Sequence, residues 1–217
     1  MTGEFSAIKR WLVGMSICAL SIIASIIWID RPVADFVHGN LLQLDFVQEI
    51  ASLMDFLAAF AALAMIFLFA CGLWTTAGRK LARWTELPLS CSWALVWGIA
   101  AAEAAKQVFG RSDPDMWTGM NPGEPHLGIY HFNWIHGIHG YESFPSGTTT
   151  AATSILAVLW ISVPRFRILW AALLAFVVAS LLVTNSHFVS DVIAGGFLGA
   201  TIGWMTLQLR RKGGANY

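Results

Sequence analysis

The chain contains little charge. Its 217 residues include 13 lysines and arginines and 13 aspartates and glutamates, so charged residues make up only 12% and the formal net charge is zero. Soluble domains usually carry about 25% charged residues, and the composition therefore argues against an ordinary soluble protein. Without an excess of positive charge the chain has no field that would attract nucleic acid, and we expect no such partner.

Cysteine is also scarce. The three cysteines, Cys18, Cys71 and Cys91, lie in apolar stretches and form no C-x-x-C pair. Such isolated positions match neither a common metal site nor a disulfide framework. We interpret all three as small packing residues.

Long apolar runs are what the sequence has in abundance. Hydrophobic residues make up 57% of the chain, and the mean hydropathy is +0.63. Crossing about 30 Å of hydrocarbon takes roughly 20 apolar residues in a helix. Six stretches approach or reach that length: 11–29, 56–74, 88–105, 149–163, 168–184 and 192–209. They predict an all-α fold, a polytopic membrane bundle of six transmembrane helices in a single domain over residues 1–217.

The first and last runs have features of their own. The first follows two basic residues, as a signal peptide would, but no small-residue cleavage site comes after it. We therefore interpret it as an uncleaved anchor. The last run is rich in glycine, including Gly195, Gly199 and Gly203, which is typical of membrane helices that pack closely against a neighbour.

The basic residues predict the orientation of the bundle. Ten of the thirteen fall before the first run, between the second and third, between the fourth and fifth, and after the sixth. With six spans these segments all lie on one side, and the positive-inside rule makes that side cytoplasmic. We expect a multi-pass protein of the cytoplasmic (inner) membrane with both termini in the cytoplasm. Residues 30–54 and 106–148 then form the outer connections.

Three polar clusters flank the predicted outer ends of the spans. Lys106 and Arg111 follow the third span, where they either reach headgroups or bind an anion. Residues 145–148 precede the fourth, either as a plain helix cap or as a set of free N–H donors. His187 and Asp191 precede the sixth at i and i+4. They form either an interfacial histidine with a capping acid or an oriented base or nucleophile.

The predicted topology brings these clusters to the same membrane face. Together they offer two cations, a group of backbone N–H donors and a His–Asp pair. A site that holds a tetrahedral phosphate and attacks it needs these same components.

The residues resemble the signature of the type 2 phosphatidic acid phosphatase family, which shares its site with the vanadium haloperoxidases. That signature reads K-x6-R-P, P-S-G-H and S-R-x5-H-x3-D. The resemblance covers roughly residues 90–205, and its best matches are 187–195 and 144–147. It implies that His187 is the nucleophile of a phosphohistidine intermediate and that Asp191 orients it.

The resemblance also implies a phosphate-binding set. Lys106 and the turn at Ser146 and Gly147, with Thr148 beside them, would bind phosphate oxygens, and Arg111 would supply further charge. The family needs no metal or other cofactor. Substrate would be a lipid phosphate, and the oligomeric state is left open.

Three positions depart from the signature. Counting from Lys106, the first signature arginine falls on Asp113, although Arg111 lies two residues earlier. The second signature arginine falls on Leu181, so that phosphate contact is lost. The signature histidine that protonates the leaving oxygen is replaced by Thr148, which is too weak an acid for that task.

A loop histidine is the expected replacement acid. We predict His139 in this role, ahead of His136, because it lies nearer the turn. A zinc site built from histidines 126, 131, 136 and 139 is disfavoured, since their spacings match no standard ligand pattern. Two acids in or beside the spans have simpler interpretations. Glu103 pairs with Lys106 one turn on, and Asp55 is either a helix cap or a residue at the level of the headgroups.

The predicted function is an integral membrane phosphatase. It would hydrolyse a lipid phosphate monoester or pyrophosphate at the outer face, and candidate substrates are polyprenyl pyrophosphate, phosphatidic acid, phosphatidylglycerol phosphate and the phosphate of lipid A. Two alternatives remain open: a lipid phosphotransferase, and an impaired relative that binds headgroups without turnover. A transporter is disfavoured because the polar residues gather at one face instead of lining the midplane.

Overall fold

A computed structural model describes residues 2–54, 56, 63, 70–71, 86–119, 127–135 and 140–214. The helices are α1 (Thr2–Trp28), α2 (Asp30–Asn40), α3 (Glu86–Phe109), α4 (Pro114–Thr118), α5 (Gly147–Ser162), α6 (Arg167–Val183) and α7 (Val189–Gly214). Residues 45–54 are also helical, and a short 3-10 turn at Pro164–Phe166 links α5 to α6. Within these ranges the only β-type pairing is an isolated bridge between Arg111 and Phe132. The all-α prediction is confirmed for this part of the chain.

Four helical segments are long and apolar enough to cross a membrane, by length and composition. They are Trp11–Trp28, Glu86–Phe109, Pro164–Val183 and Val189–Arg210. These correspond to the first, third, fifth and sixth predicted spans. The fourth predicted span is an apolar helix of 16 residues, α5.

Most of the second predicted span lies outside the described residues, and so does Asp55. A total of six spans, and a cytoplasmic location for both termini, therefore stay predictions.

Helices α5 and α7 approach each other along a stripe of glycines. A Cβ atom built on Gly195 would stand 2.5 Å from the carbonyl oxygen of Ser146. At Gly199 and Gly203 it would collide with the carbonyl oxygens of Thr150 and Ser154. Only glycine leaves room for this backbone contact, as is common between membrane helices. The close packing predicted from the glycine-rich last run is confirmed.

The outer surfaces of the bundle are strongly apolar. Only 6% of the apolar window in α1 and 11% of the window in α6 is buried inside the protein. Ile168 is 88% exposed and Leu20 is 68% exposed. Exposed apolar surface of this extent marks contact with lipid or with another apolar partner.

Four helix termini meet at one end of the bundle. Helix α3 ends where Gly110 adopts a φ of 51° and donates its N–H to the carbonyl of Lys106 at 2.8 Å. Helix α1 ends at Trp28, two residues before Asp30. The first residues of α5 and α7 come to the same place, as the contacts below show. The three polar clusters, which lie on these helix ends and the adjoining loop residues, are therefore close together.

Candidate active site

The first cluster lies against the start of α5. The Nζ atom of Lys106 is 3.3 Å from the position that a Cβ on Gly147 would take. Lys106 also pairs with Glu103, whose Oε1 lies 2.7 Å from Nζ. The side chain of Lys106 is 15% exposed and that of Glu103 is 54% exposed. The pairing predicted from their spacing is confirmed, and the ammonium group is held beside the Pro-Ser-Gly turn.

The second cluster forms the N-terminus of α5. Ser146 is fully buried, and its Oγ accepts the N–H of Thr149 at 3.3 Å. The N–H of Ser146 donates to the main-chain carbonyl of Asp191 at 3.1 Å. The polar atoms of Ser146 are thus used within the fold. For the N–H groups of Gly147 and Thr148 no acceptor is found in the described part of the chain, and the Thr148 side chain is exposed. These two N–H groups are placed to bind an anion next to Lys106.

The third cluster is the His–Asp pair. His187 Nδ1 lies 3.8 Å from Asp191 Oδ2, and the imidazole is 14% exposed. Nδ1 is buried and has no hydrogen-bond partner among the described residues. The distance exceeds that of a hydrogen bond, so the ring has to rotate slightly to close one. The fully buried carboxylate already accepts Ser143 Oγ at 2.6 Å and the N–H of Phe188 at 2.9 Å through the same Oδ2.

Arg111 lies in a buried ion-pair network. It is 1% exposed, and its Nη2 donates to Asp30 Oδ2 at 2.7 Å. Its Nη1 donates to Asp191 Oδ1 and to Ser190 Oγ, the latter at 2.5 Å. Both Nη atoms of Arg111 therefore bond to residues of the protein itself, and the phosphate contact predicted for Arg111 stays a prediction. Burial alone would lower the pKa of Arg111, but the carboxylates of Asp191 and Asp30 outweigh it and raise the pKa.

Aromatic rings surround the guanidinium of Arg111. Its Cζ lies 4.4 Å from the ring centre of Phe188, 5.1 Å from that of Tyr130 and 5.2 Å from that of Phe132. The hydroxyl of Tyr130 accepts from Nη2 at 2.8 Å and lies 3.1 Å from Asp30 Oδ2. Burial, together with the nearby carboxylate of Asp30, raises the pKa of Tyr130. The rings keep the ion pairs away from water, which strengthens them.

Sequence reasoning missed four members of this network: Asp30, Tyr130, Ser143 and Ser190. Asp30 and Arg111 are 81 residues apart in the chain, and no motif connects them. One signal was available for Asp30, an acid directly after a charge-free apolar run, because a charge at that depth needs a partner. Which partner it takes depends on where the other helices end.

Two signature positions carry no positive charge here. Asp113 occupies the place of the first arginine and is the N-cap of α4. Burial raises the pKa of Asp113, and nearby His187 works in the opposite direction. Leu181, at the second arginine position, is an apolar side chain only 6% exposed. Neither residue supplies the charge that the signature expects.

The predicted acid His139 and its alternative His136 lie outside the described residues, as does His126. His131 is described, and its ring packs against that of Tyr141 with 5.5 Å between centres. In the described ranges, no group of three His, Cys, Asp or Glu side chains is arranged to hold a metal ion.

The chain is similar to known proteins across the segments that build this site. A family model described as the PAP2 superfamily matches residues 87–214. A lipid A 1-phosphatase from Rhizobium etli is 28% identical over 210 residues, covering 91% of this chain and 83% of that protein. A lipid A 1-phosphatase from Rhizobium johnstonii is 29% identical over 135 residues, covering 59% of this chain and 51% of that protein. No solved structure gives a significant match.

Proposed function

The chain belongs to the PAP2 superfamily, and on that premise we propose that it is an integral membrane phosphatase that acts on a lipid phosphate. One observation carries the proposal: Lys106, the N-terminus of α5 and the His187–Asp191 pair converge at one end of the bundle. A cation, helix N–H groups and an imidazole beside a carboxylate are together the parts of a phosphoryl-transfer site. The apolar helix surfaces suit a substrate whose tail stays in the bilayer.

We further propose lipid A 1-phosphate as the substrate. The proposal draws on the two relatives, both named lipid A 1-phosphatase. It also draws on Thr148, because a hydroxyl is a poor proton donor to a leaving oxygen. The 1-phosphate of a sugar lipid is attached through the anomeric oxygen. When the P–O bond breaks, this hemiacetal oxygen departs more easily than the alkoxide of a primary alcohol. Such a substrate tolerates a weaker acid than phosphatidic acid does.

In the proposed reaction the phosphate oxygens bind Lys106 Nζ and the N–H groups of Gly147 and Thr148. Nε2 of His187 attacks phosphorus, the N–P bond forms, and the bond between phosphorus and the lipid oxygen breaks. The lipid oxygen takes up a proton, for which His139 is the predicted donor. Water then cleaves the N–P bond and releases inorganic phosphate. Asp191 stabilises the positive charge that the imidazole carries in the intermediate.

The site would face away from the cytoplasm. Arg165 and Arg167 follow α5, and Arg210 lies near the end of α7, whereas the site lies at the start of both helices. The described basic residues outside the site region therefore mark the opposite end of the bundle, which the positive-inside rule makes cytoplasmic. We propose a multi-pass protein of the cytoplasmic membrane with an extracytoplasmic site.

One alternative has an observation in its favour. Asp113, Thr148 and Leu181 replace three side chains of the signature, so the site could bind phosphate headgroups without turnover. Such a protein would bind lipid A 1-phosphate but release no phosphate from it.

Phosphate release by the purified protein in detergent tests both candidates. The panel consists of lipid A, phosphatidic acid, polyprenyl pyrophosphate and phosphatidylglycerol phosphate, each with and without a chelator. We expect release from lipid A in both conditions, loss of release in His187→Ala, and full activity in His131→Ala. The matched control changes an exposed histidine on the loop at 127–135. Equal release by wild-type protein and His187→Ala would contradict the proposed reaction, and binding without release would favour the alternative.

A further inference from the structure

The junction between α1 and α2 is tied to the start of α7 by the buried carboxylate of Asp30, the first residue of α2. Asp30 is 1% exposed, and its Oδ1 accepts the N–H of Ser190 at 3.0 Å. Its Oδ2 accepts Ser190 Oγ at 2.5 Å. Ser190 is the second residue of α7, so its N–H has no partner within the helix. An acid at this place satisfies that donor and interacts favourably with the helix dipole.

The same carboxylate reaches Asp191 through Arg111. Nη2 of Arg111 binds Asp30, and Nη1 binds Oδ1 of Asp191. The other oxygen of Asp191, Oδ2, accepts Ser143 Oγ and the N–H of Phe188 and faces His187 Nδ1. Both oxygens of Asp191 are therefore held: Oδ1 by Arg111, and Oδ2 by Ser143 and Phe188. Loss of the Arg111 contact would leave Oδ1 without that donor, so the carboxylate could shift about χ2 while Oδ2 keeps its two donors.

We infer that Asp30 is a positioning residue of the site, which fixes the Asp191 carboxylate, and with it His187, through Arg111 and Ser190. The inference deepens the proposed function, on which it rests for the role of His187. Asp30 lies outside residues 87–214, the part of the chain that the family model matches. The device is thus a contribution of the N-terminal helices to a site otherwise built from α3, α5 and α7.

Charge supports the same role. In this cluster two carboxylates share one guanidinium, and all three side chains are 0–1% exposed. The cluster therefore has one more acid than base, and Asp191 brings it to within 3.8 Å of His187 Nδ1, where negative charge stabilises a cationic imidazole. Asp113 also faces His187, and Glu142 lies near Asp113. Asp30 differs from these acids because it acts on His187 only through Arg111, Ser190 and Asp191.

Two inorganic anions test the inference without a lipid substrate. Orthovanadate becomes five-coordinate when a nucleophile joins it, so its affinity depends on the orientation of His187, as expected for a transition-state analogue. Inorganic phosphate stays tetrahedral and depends on Lys106 and the N–H groups of α5. The Kd of each anion is measured by calorimetry on the full chain in detergent, for wild-type protein, Asp30→Asn and Asp35→Asn. Asp35 is the matched control: it lies on the same helix and accepts Trp117 Nε1 at 2.6 Å, a bond that asparagine keeps.

The expected result is selective. In Asp30→Asn the Kd for vanadate rises about tenfold, by analogy with the losses of about tenfold or more that follow mutation of the outer hydrogen-bond partners of metal-bound histidines. The Kd for phosphate stays within about twofold, and Asp35→Asn resembles wild-type protein for both anions. A Tyr130→Phe variant, which keeps the ring and loses only the hydroxyl next to Asp30, should change the vanadate affinity in the same direction by a smaller factor. If Asp30→Asn does not fold, the vanadate affinity of Tyr130→Phe tests the role of Asp30 instead.

Three results would overturn the inference: equal changes for both anions, no difference from Asp35→Asn, or a wild-type protein that does not prefer vanadate to phosphate. The outcome is separate from that of the proposed function. Selective loss of vanadate binding in a protein that hydrolyses none of the lipids would support the role of Asp30 and reject the lipid phosphatase. Lipid hydrolysis with an unchanged vanadate-to-phosphate ratio in Asp30→Asn would do the reverse.

Discussion

Replacing Arg111 with methionine should be among the most damaging single changes in the protein. Methionine keeps much of the aliphatic volume and removes the guanidinium. Asp30 and Asp191 are then left as buried carboxylates at 0% exposure of their side chains, with no cation between them. Breaking a buried ion pair by removing one partner costs about 3–5 kcal/mol, because the remaining charge is desolvated and uncompensated.

The magnitude follows from the burial of the pair. Two carboxylates lose the same cation, but Ser143, Ser190 and the N–H of Phe188 still donate to them. These bonds recover part of the loss, and we expect a decrease of about 3 kcal/mol in the free energy of unfolding. The assay is reversible unfolding in mixed detergent micelles, followed by tryptophan fluorescence.

Arg31→Met is the matched control. Arg31 is exposed near the same helix junction, and its Cζ lies 5.3 Å from the ring centre of Tyr130 and 5.8 Å from that of Trp117. An exposed cation–π contact is worth only about 0.5–1 kcal/mol. If Arg111→Met lost no more stability than Arg31→Met, the account of a buried ion pair would be refuted.

Three further predictions test other parts of the molecule. Gly199→Ala should lower the free energy of unfolding by about 1–3 kcal/mol, because its Cβ would collide with the carbonyl of Thr150. The control Gly39→Ala should not lower it, because a Cβ there has nothing within 4 Å. Equal unfolding midpoints for the two variants would argue against the close helix contact. Asp113→Asn should raise the midpoint at neutral pH. Burial raises the pKa of Asp113, so the stability that Asp113 contributes is present at low pH and is lost as pH rises. The gain in midpoint of Asp113→Asn should therefore vanish near pH 4, roughly the pKa of an unfolded aspartate. A gain that is independent of pH would contradict this cause. Thr148→His should speed phosphate release from phosphatidic acid more than from lipid A, because the alkoxide of phosphatidic acid is the poorer leaving group and needs the stronger acid. Equal acceleration with both substrates would argue against a leaving-group effect.

The displaced arginine gives this site a different charge distribution from the family signature. The signature expects an arginine two residues after 111, in contact with phosphate, and this chain has Asp113 there. Arg111 instead binds the two buried acids. In the proposed site the phosphate charge is then met by Lys106 and by the helix N–H groups. Such a site should depend strongly on Lys106.

Several features could be predicted from the sequence because they depend on neighbours along the chain. The apolar runs predict α1, α3, α6 and α7, since a helix of given length and composition is a local property. The spacing of Glu103 and Lys106 predicts their ion pair, and that of His187 and Asp191 predicts their proximity. The spacing of the glycines predicts a close helix contact, although not that α5 is the partner.

Other features depend on tertiary structure alone. Nothing in the local pattern indicates that Asp30 reaches Arg111 and Ser190, or that Arg111 turns towards carboxylates and not towards the proposed phosphate site. Those contacts depend on where α1 and α3 end relative to the first turn of α7, a relation across 160 residues for Asp30 and Ser190. The physical reason is that a buried charge takes whichever partners packing places within reach. Local sequence determined which groups are charged, and the packing of the helices decided which of them meet.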